Sequence, residues 1–386
     1  MFPFLITFLL LYGGMHLYAF FKLRNAFRPK SHMSWLLVLW MTFMTVVPLL
    51  VRVAEQFGMG KTAIVLAWPC YIWMGFLFIF TSALLFTDII RHIYNFLHCN
   101  FFDCLPVFIS SDRISIAILF LATLAGTYAF IEAGHIRSER VVVTTSKLPV
   151  STQRIRIVQI SDVHIGLLLG EKRLQLILSK LKEANPDIIV STGDLIDGKL
   201  NRDDALSGLD PVAKLLASVQ APSGKFAVIG NHEVYAGLPQ ALAFSRAAGF
   251  TMLRSQSVTL ANGMTISGID DRAVNLKSSA NSDSETTILD NVSKNSFHVL
   301  LKHRPEVQQG SDRHFDLQLS GHVHGGQIFP FNLIVMLRHP ISCGTTTTPA
   351  GSRIHVTRGT GTWGPPMRLF VPPEVTIIDI VNQTKS

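Results

Sequence analysis

Four stretches in the first third of the chain carry no charged side chain: Met1–Phe21, Met33–Val51, Thr62–Thr87 and Ile114–Ile131. Each approaches or exceeds the roughly 20 apolar residues that take a helix across a bilayer. A buried soluble helix seldom runs so long without Lys or Glu. The pattern predicts an all-α bundle of about four transmembrane helices within residues 1–134. Met1–Phe21 has no basic start and no small-residue cleavage site after it, so it reads as a span rather than a signal peptide. His16 and Asp88, at or near span ends, are the polar residues that would mark a site within the membrane. Lys22, Arg24, Arg28 and Lys30 fill the first loop, and Arg91 and Arg113 the third, whereas only Arg52 and Lys61 flank the second. By the positive-inside rule, loops one and three face the cytoplasm. Both chain ends, and everything after the last span, are then expected outside.

Beyond residue 149 the hydrophobic period shortens. Arg154–Ile160 alternates Ile and Val with polar residues, as a half-buried strand does. Asp187–Val190, Lys225–Ile229, Thr251–Leu260, Met264–Gly268, Phe297–Leu301, Phe315–Leu319, Arg353–Thr357 and Val375–Val381 carry further strand patterns. Glu171–Ala184, Pro211–Val219 and Leu238–Ala248 have helical spacing, and Asn275–Asn291 reads as a loop. Strands alternating with helices predict an α/β domain over residues 150–386, joined to the bundle by a linker at 135–149.

Composition sharpens this partition. Apolar residues make up 48% of the chain and charged residues only 16%, against about 25% charged in a soluble domain. Disorder is excluded, and a single soluble globule does not fit. The net charge of +8 is shared: residues 1–134 hold 8 Lys/Arg and 5 Asp/Glu, and residues 135–386 hold 26 and 21. Neither part is a basic tail, and there is no nucleic-acid-binding motif. The basic balance suits an acidic substrate or an anionic lipid surface. Four cysteines without a repeated spacing exclude a disulfide scaffold and a Cys-rich zinc fold.

Candidate chemistry gathers at strand ends, where open α/β sheets bind ligands. In order these residues are Asp162 and His164, Asp194 and Asp197, Asn231 and His232, His303, then His322 and His324. Each fragment alone has a bland explanation as a turn, a cap or a surface imidazole. Their recurrence after five separate strands does not. Carboxylate, amide and imidazole groups suit hard or borderline divalent metals. The absence of thiolate disfavours a structural zinc site. Two ions fit better than one, because a bridging carboxylate lets seven residues serve a pair.

The series Asp162-Val-His164, Gly193-Asp194-Leu-Ile-Asp197, Gly230-Asn231-His232-Glu233, His303 and Gly321-His322-Val-His324 resembles the calcineurin-like metallophosphoesterase superfamily, over roughly residues 150–382. It is most similar to the membrane-anchored bacterial branch, in Glu233 after Asn231-His232, in the run from His324 to Gln327 and in Gly361–Arg368. The resemblance implies a four-layer α-β-β-α sandwich with metals at the sheet edge. One ion would be held by Asp162, His164, Asp194 and His324, and the other by Asp194, Asn231, His303 and His322, with Asp194 bridging. His232 would be the catalytic residue beside the substrate phosphate. Asp197 would support a ligand or loop, Glu233 would partner His232, and Arg368 would touch the phosphate or serve as a structural arginine.

The resemblance implies a metal-dependent phosphoester hydrolase that uses two divalent ions, drawn from Mn, Fe, Zn or Mg. Two cations would neutralise an anionic diester and lower the pKa of a water that attacks phosphorus. A multi-pass bacterial inner-membrane protein with a periplasmic catalytic domain is expected, acting on a phosphodiester or pyrophosphate that is lipid-linked or part of the envelope. The alternative is a non-catalytic metal-binding sensor or interaction module on a membrane bundle. Oligomeric state is not readable from these residues.

Overall fold

The computed structural model describes residues 2–101, 111–198, 205–275 and 285–383. The chain forms two compact units. The first is built on four helices: α1 (Phe2–Phe27), α2 (Ser31–Gln56), α3 (Gly60–Phe101) and α4 (Ser111–Ala133). All four are long and apolar enough to cross a membrane. At 42 residues, α3 outruns the other three, and at 1.5 Å per residue it spans about 63 Å, twice the hydrocarbon thickness. Arg91, expected in a loop, therefore lies within this helix.

Side-chain pins join these helices. The Tyr18 hydroxyl donates to Asp88 at 2.6 Å and Lys22 Nζ reaches the same carboxylate at 2.7 Å. The Trp73 indole donates to His16 Nε2 at 2.9 Å, while His16 Nδ1 donates to the Tyr12 carbonyl at 2.8 Å. Both His16 nitrogens are thus occupied in helix packing. Such bonds fix helix pairs where hydrophobicity alone does not. Two later segments, Ile328–Pro330 and Gly364–Leu369, belong to the same unit. Ile328, Met367 and Leu369 are buried in one apolar cluster with Leu77, Phe80 and Leu84.

The second unit opens with β1 (Arg137–Thr145) and β2 (Arg154–Ile160), followed by α5 (Glu171–Glu183) and β3 (Ile188–Ser191). Next come α6 (Ala205–Ala217), β4 (Lys225–Ala227), α7 (Asn231–Ala236), α8 (Leu238–Ala247), β5 (Thr251–Met252), β6 (Gln256–Thr259) and β7 (Thr265–Ile269). Then α9 (Arg272–Asn275), α10 (Glu285–Asp290), β8 (His298–Lys302), β9 (Leu317–Ser320) and α11 (Phe331–Arg338) precede β10 (Gly344–Thr347), β11 (Arg353–Val356) and β12 (Glu374–Asn382). The strands form two six-stranded sheets, ordered β1-β12-β2-β3-β4-β5 and β10-β11-β9-β8-β7-β6.

Alternation along each strand sorts side chains into layers. Ile155 and Ile157 on β2, with Ile188, Val190, Ile378 and Ile380, meet Val299, Leu301, Leu317 and Leu319 of the other sheet. The opposite faces of the same strands, at Val158, Ile160, Ile189 and Ile377, pack with Leu174, Ile177 and Leu181 of α5 and Phe244 of α8. On the far side, Leu289 of α10 covers Leu300 and Phe315. The unit is a helix–sheet–sheet–helix sandwich, as expected.

Three expectations change. The stretch 135–149, expected as a linker, holds β1, which pairs in parallel with β12 from Arg137 to Thr145. Its side chains are mostly exposed, so the burial rhythm that marks a strand is weak there. The single strand expected at Thr251–Leu260 is two strands in different sheets, β5 and β6, with Ser255 at φ 49° between them. Asn275–Asn291, expected as a loop, contains α10, and its residues 276–284 lie outside the described ones.

Ile157 is wholly buried between the sheets. Replacing it with Ala is expected to cost about 2–5 kcal/mol, measured as a lower unfolding temperature of the detergent-solubilised chain. An unchanged temperature would contradict this core.

Candidate metal centre

Every expected site residue except Arg368 follows the end of a strand. Asp162 and His164 lie just after β2, Asp194 and Asp197 after β3, and Asn231, His232 and Glu233 open α7 after β4. His303 follows β8 directly, and His322 and His324 follow β9. The first three loops leave one sheet and the last two leave the other. The backbone is bent to make them converge: Asp162, His164, Asp194, His322 and His324 all have φ between 50° and 74°. Left-handed backbone at non-glycine residues costs about 1–3 kcal/mol each and concentrates at functional sites.

Close approach also explains two motif glycines. Gly230 has an ordinary extended conformation, with φ −95°, yet a Cβ there would collide with the Asp194 carboxylate. At Gly321 it would collide with Asp162 and the Ser161 hydroxyl. Glycine is needed because backbone packs directly on the carboxylates.

The polar atoms meet in three groups with ligand atoms within 4.8 Å of one another: Asp162, His164 and His324; His164, Asp197 and His232; Asp194, His303 and His322. His164 Nε2 faces His324 Nε2 at 3.1 Å, and Asp162 Oδ1 lies 3.4 Å from the latter. His303 Nε2 lies 3.1 Å from Asp194 Oδ2, 3.1 Å from His322 Nδ1 and 3.2 Å from Asn231 Oδ1. His303 Nδ1 donates to the Thr192 carbonyl at 2.8 Å, which aims Nε2 at this cluster. The seven expected ligands therefore fall into two clusters, Asp162, His164 and His324 in one and Asp194, Asn231, His303 and His322 in the other.

The donor set fits divalent cations. Two ligands about 2.1 Å from one ion, at right angles, stand about 3 Å apart, close to the separations seen here. Imidazole nitrogens 3.1 Å apart either share one proton or turn both lone pairs on a common cation. His164 Nδ1 is buried with no hydrogen-bond partner among the described residues. Burial, then His232, pushes the His164 pKa down to about 4, and burial with His303 and Arg304 pushes that of His322 down to about 2. Neutral imidazole is the ligating form. Burial opposes charge on His303 as well, but Asp194 and Asp162 raise its pKa to about 10. The carboxylates thus favour positive charge at the centre of the cluster, which is the field that binds a cation.

Asp197 holds the catalytic candidate: its Oδ1 accepts from His232 Nδ1 at 2.9 Å. Burial disfavours charged His232, but Asp197 and Asp194 outweigh it and raise its pKa. The exposed rings of Tyr235 and Trp363 each stand 5.6 Å from its ring.

Glu233 differs from its expected role, and burial favours the structural of the two roles expected for Arg368. The Glu233 carboxylate was expected beside the His232 side chain. It instead accepts backbone N–H groups of Leu195 at 2.6 Å, Gly230 at 2.8 Å and Asp194 at 3.0 Å. It ties the second and third ligand loops together, and burial with Asp194 nearby raises its pKa to about 7. Arg368 is fully buried in the helical unit, where its N–H donates to the Ala129 carbonyl at 2.8 Å. It offers no surface to a substrate phosphate.

Arg304 and Asp271 went unread in the sequence. Arg304 Nε donates to the buried Asp271 carboxylate at 2.7 Å, and Nη1 lies 2.7 Å from His322 Nε2. The signal was positional: Asp271 sits just past β7 and Arg304 directly follows His303.

A calcineurin-like phosphoesterase family profile matches residues 155–326. An uncharacterized metallophosphoesterase of Aquifex aeolicus is 38% identical over 263 residues, 68% of this chain and 98% of that protein. A Danio rerio protein named as a transmembrane protein with a metallophosphoesterase domain is 30% identical, over 69% of this chain and 63% of its own length. A solved dimetal phosphatase from Danio rerio is similar with a TM-score of 0.36 and 15% identity, covering 54% of this chain and 88% of that one. With its strand-end cluster of carboxylates and imidazoles, and a metallophosphoesterase relative 38% identical over 98% of that protein's length, the chain belongs to the calcineurin-like metallophosphoesterase family and is a metal-dependent phosphoester hydrolase that carries membrane helices.

Proposed function

We propose that this protein hydrolyses phosphodiesters at a dinuclear metal centre, and that its natural substrates are borne by the membrane. The observation that carries the catalytic half is the convergence of seven ligands beside a histidine pinned by a carboxylate. Asp162, His164, Asp194 and His324 would hold one ion, and Asp194, Asn231, His303 and His322 the other. Two divalent ions there supply Lewis acidity, neutralising the phosphoryl oxygens and acidifying the attacking water.

The chain's own residues complete the chemistry. Water adds its oxygen to phosphorus, the ester P–O bond breaks, and the departing oxygen needs a proton. His232 is the donor: Asp197 occupies Nδ1, so Nε2 carries the transferable proton. Arg304, held by Asp271 beside His322, sets a fixed positive charge at the edge of the cluster for a non-bridging phosphoryl oxygen. Glu233 keeps the loops of Asp194 and Asn231 in register. Lys22, Arg24, Arg28 and Lys30 around the α1–α2 connection, with Arg91 and Arg113 near the facing ends of α3 and α4, support a cytoplasmic face there, and hence an extracytoplasmic catalytic domain on a bacterial inner membrane.

The full chain in detergent with added Mn is expected to hydrolyse bis-p-nitrophenyl phosphate. Asp194→Ala should reduce release to background, and His232→Ala should lower kcat about 10²–10⁴-fold. Metal binding without turnover would favour a sensor module instead.

A general acid must be protonated, so activity should fall as pH rises through the His232 pKa. Asp197→Asn removes the carboxylate that favours the imidazolium, so the alkaline limb of kcat/KM should move to lower pH. An unmoved limb would separate His232 from that proton.

Arg304→Ala should raise KM for the diester about tenfold or more, the loss of one charge-assisted contact. An unchanged KM would remove Arg304 from phosphate binding.

A further inference from the structure

The helix α11 breaks the usual relation between hydrophobicity and burial. Its sequence from Phe331 to Arg338 holds six apolar residues, and none of its residues is buried. Leu337 is 87% exposed, Ile334 59%, Leu333 and Met336 52%, and Phe331 46%. Contiguous apolar surface of this kind marks an interaction site.

The shape of the patch selects its occupant. At about 100° per residue, these five side chains sweep an arc of roughly 220° around the helix axis. Val335, partly buried against Val323, Ile354 and Val356, and Asn332, packed against Gly326, lie in the remaining arc and anchor the helix to the domain. A protein groove covers a stripe of about 100°. An arc wider than half the circumference calls for a fluid apolar phase. The same chain supplies one at hand, because it carries four candidate membrane spans, with three residues between α4 and β1. The helix ends in exposed Arg338, which suits lipid phosphate.

The helix is also continuous with the metal centre. The ring of His339, directly after it, stands 6.2 Å from that of His322. Its start lies four residues past Gln327, whose side chain holds both the N–H and the carbonyl of Trp363 at 2.9 Å. Trp363 is the exposed ring beside His232. Residues close in sequence to the helix thus contact both the ligand cluster and the exposed ring beside His232.

We propose that α11 is an interfacial helix that immerses Phe331, Leu333, Ile334, Met336 and Leu337 at the acyl-chain boundary of the bilayer, and thereby presents the metal centre to phosphoesters whose organic group is a lipid. The immersion stands alone; the substrate class rests on the hydrolase function proposed above.

Immersion is tested in the full chain in native membranes, with p-benzoylphenylalanine placed at Leu337 or, as a control, at Lys180 on α5. Irradiation should attach phospholipid at position 337, seen as an adduct of lipid mass, and not at 180. A cross-link to protein, or no adduct at 337, would overturn the proposal. The substrate class is tested with Ile334→Asp/Leu337→Asp in phosphatidylglycerol–phosphatidylethanolamine vesicles. The ratio of lipid phosphodiester to bis-p-nitrophenyl phosphate turnover should fall about tenfold or more. An unchanged ratio would sever the helix from substrate delivery. Failure of the parent chain to hydrolyse either compound would sink the hydrolase function and leave the cross-linking result standing.

Discussion

The buried carboxylate of Asp194 is the constraint on which the site depends. It lies where two sheets meet, with Oδ1 taking the His232 N–H at 2.8 Å and Oδ2 3.1 Å from His303 Nε2. Asp162 is buried near enough for the two charges to repel. Two carboxylates out of water cost too much to keep unless positive charge is supplied between them. The surrounding structure is arranged for that supply. Imidazole rings turn toward the carboxylates, glycines let backbone press against the carboxylates, and Glu233 clamps the amides of the Asp194 loop.

The sandwich is what makes this convergence possible. Two sheets packed through Ile157, Ile188, Val299 and Leu317 bring loops from five strands to one edge. A polar step sits beneath them: Gln159, fully buried on β2, donates to Thr192 at 2.9 Å and to the Ser320 carbonyl of the opposite sheet at 3.1 Å. The strained left-handed residues above it are held by that frame. Rigid strands provide the distances and short loops provide the ligands.

Much of this was legible before the structure. Long uncharged stretches announced the helices, because a bilayer demands length without charge. Ligands announced themselves as polar groups at strand ends, where nothing in packing requires them. What escaped was what periodicity cannot carry. The edge strand β1 exposes most of its side chains, so it shows no burial rhythm. The passage from β5 to β6 changes sheet without changing pattern. Arg304 and Asp271 act by charge and orientation, and neither has a motif. Glu233 was found by its place after His232, but only coordinates show that its carboxylate serves backbone amides. The exposed α11 reads like any short apolar run until its surroundings are seen.

The central proposal is that these residues hold two metal ions and that Asp194 serves both. Electron paramagnetic resonance of the full chain titrated with Mn tests it most directly. An exchange-coupled signal reaching its maximum at two Mn per chain, and lost in Asp194→Asn, is the predicted result. A signal from isolated Mn at one ion per chain, or no binding, would contradict it.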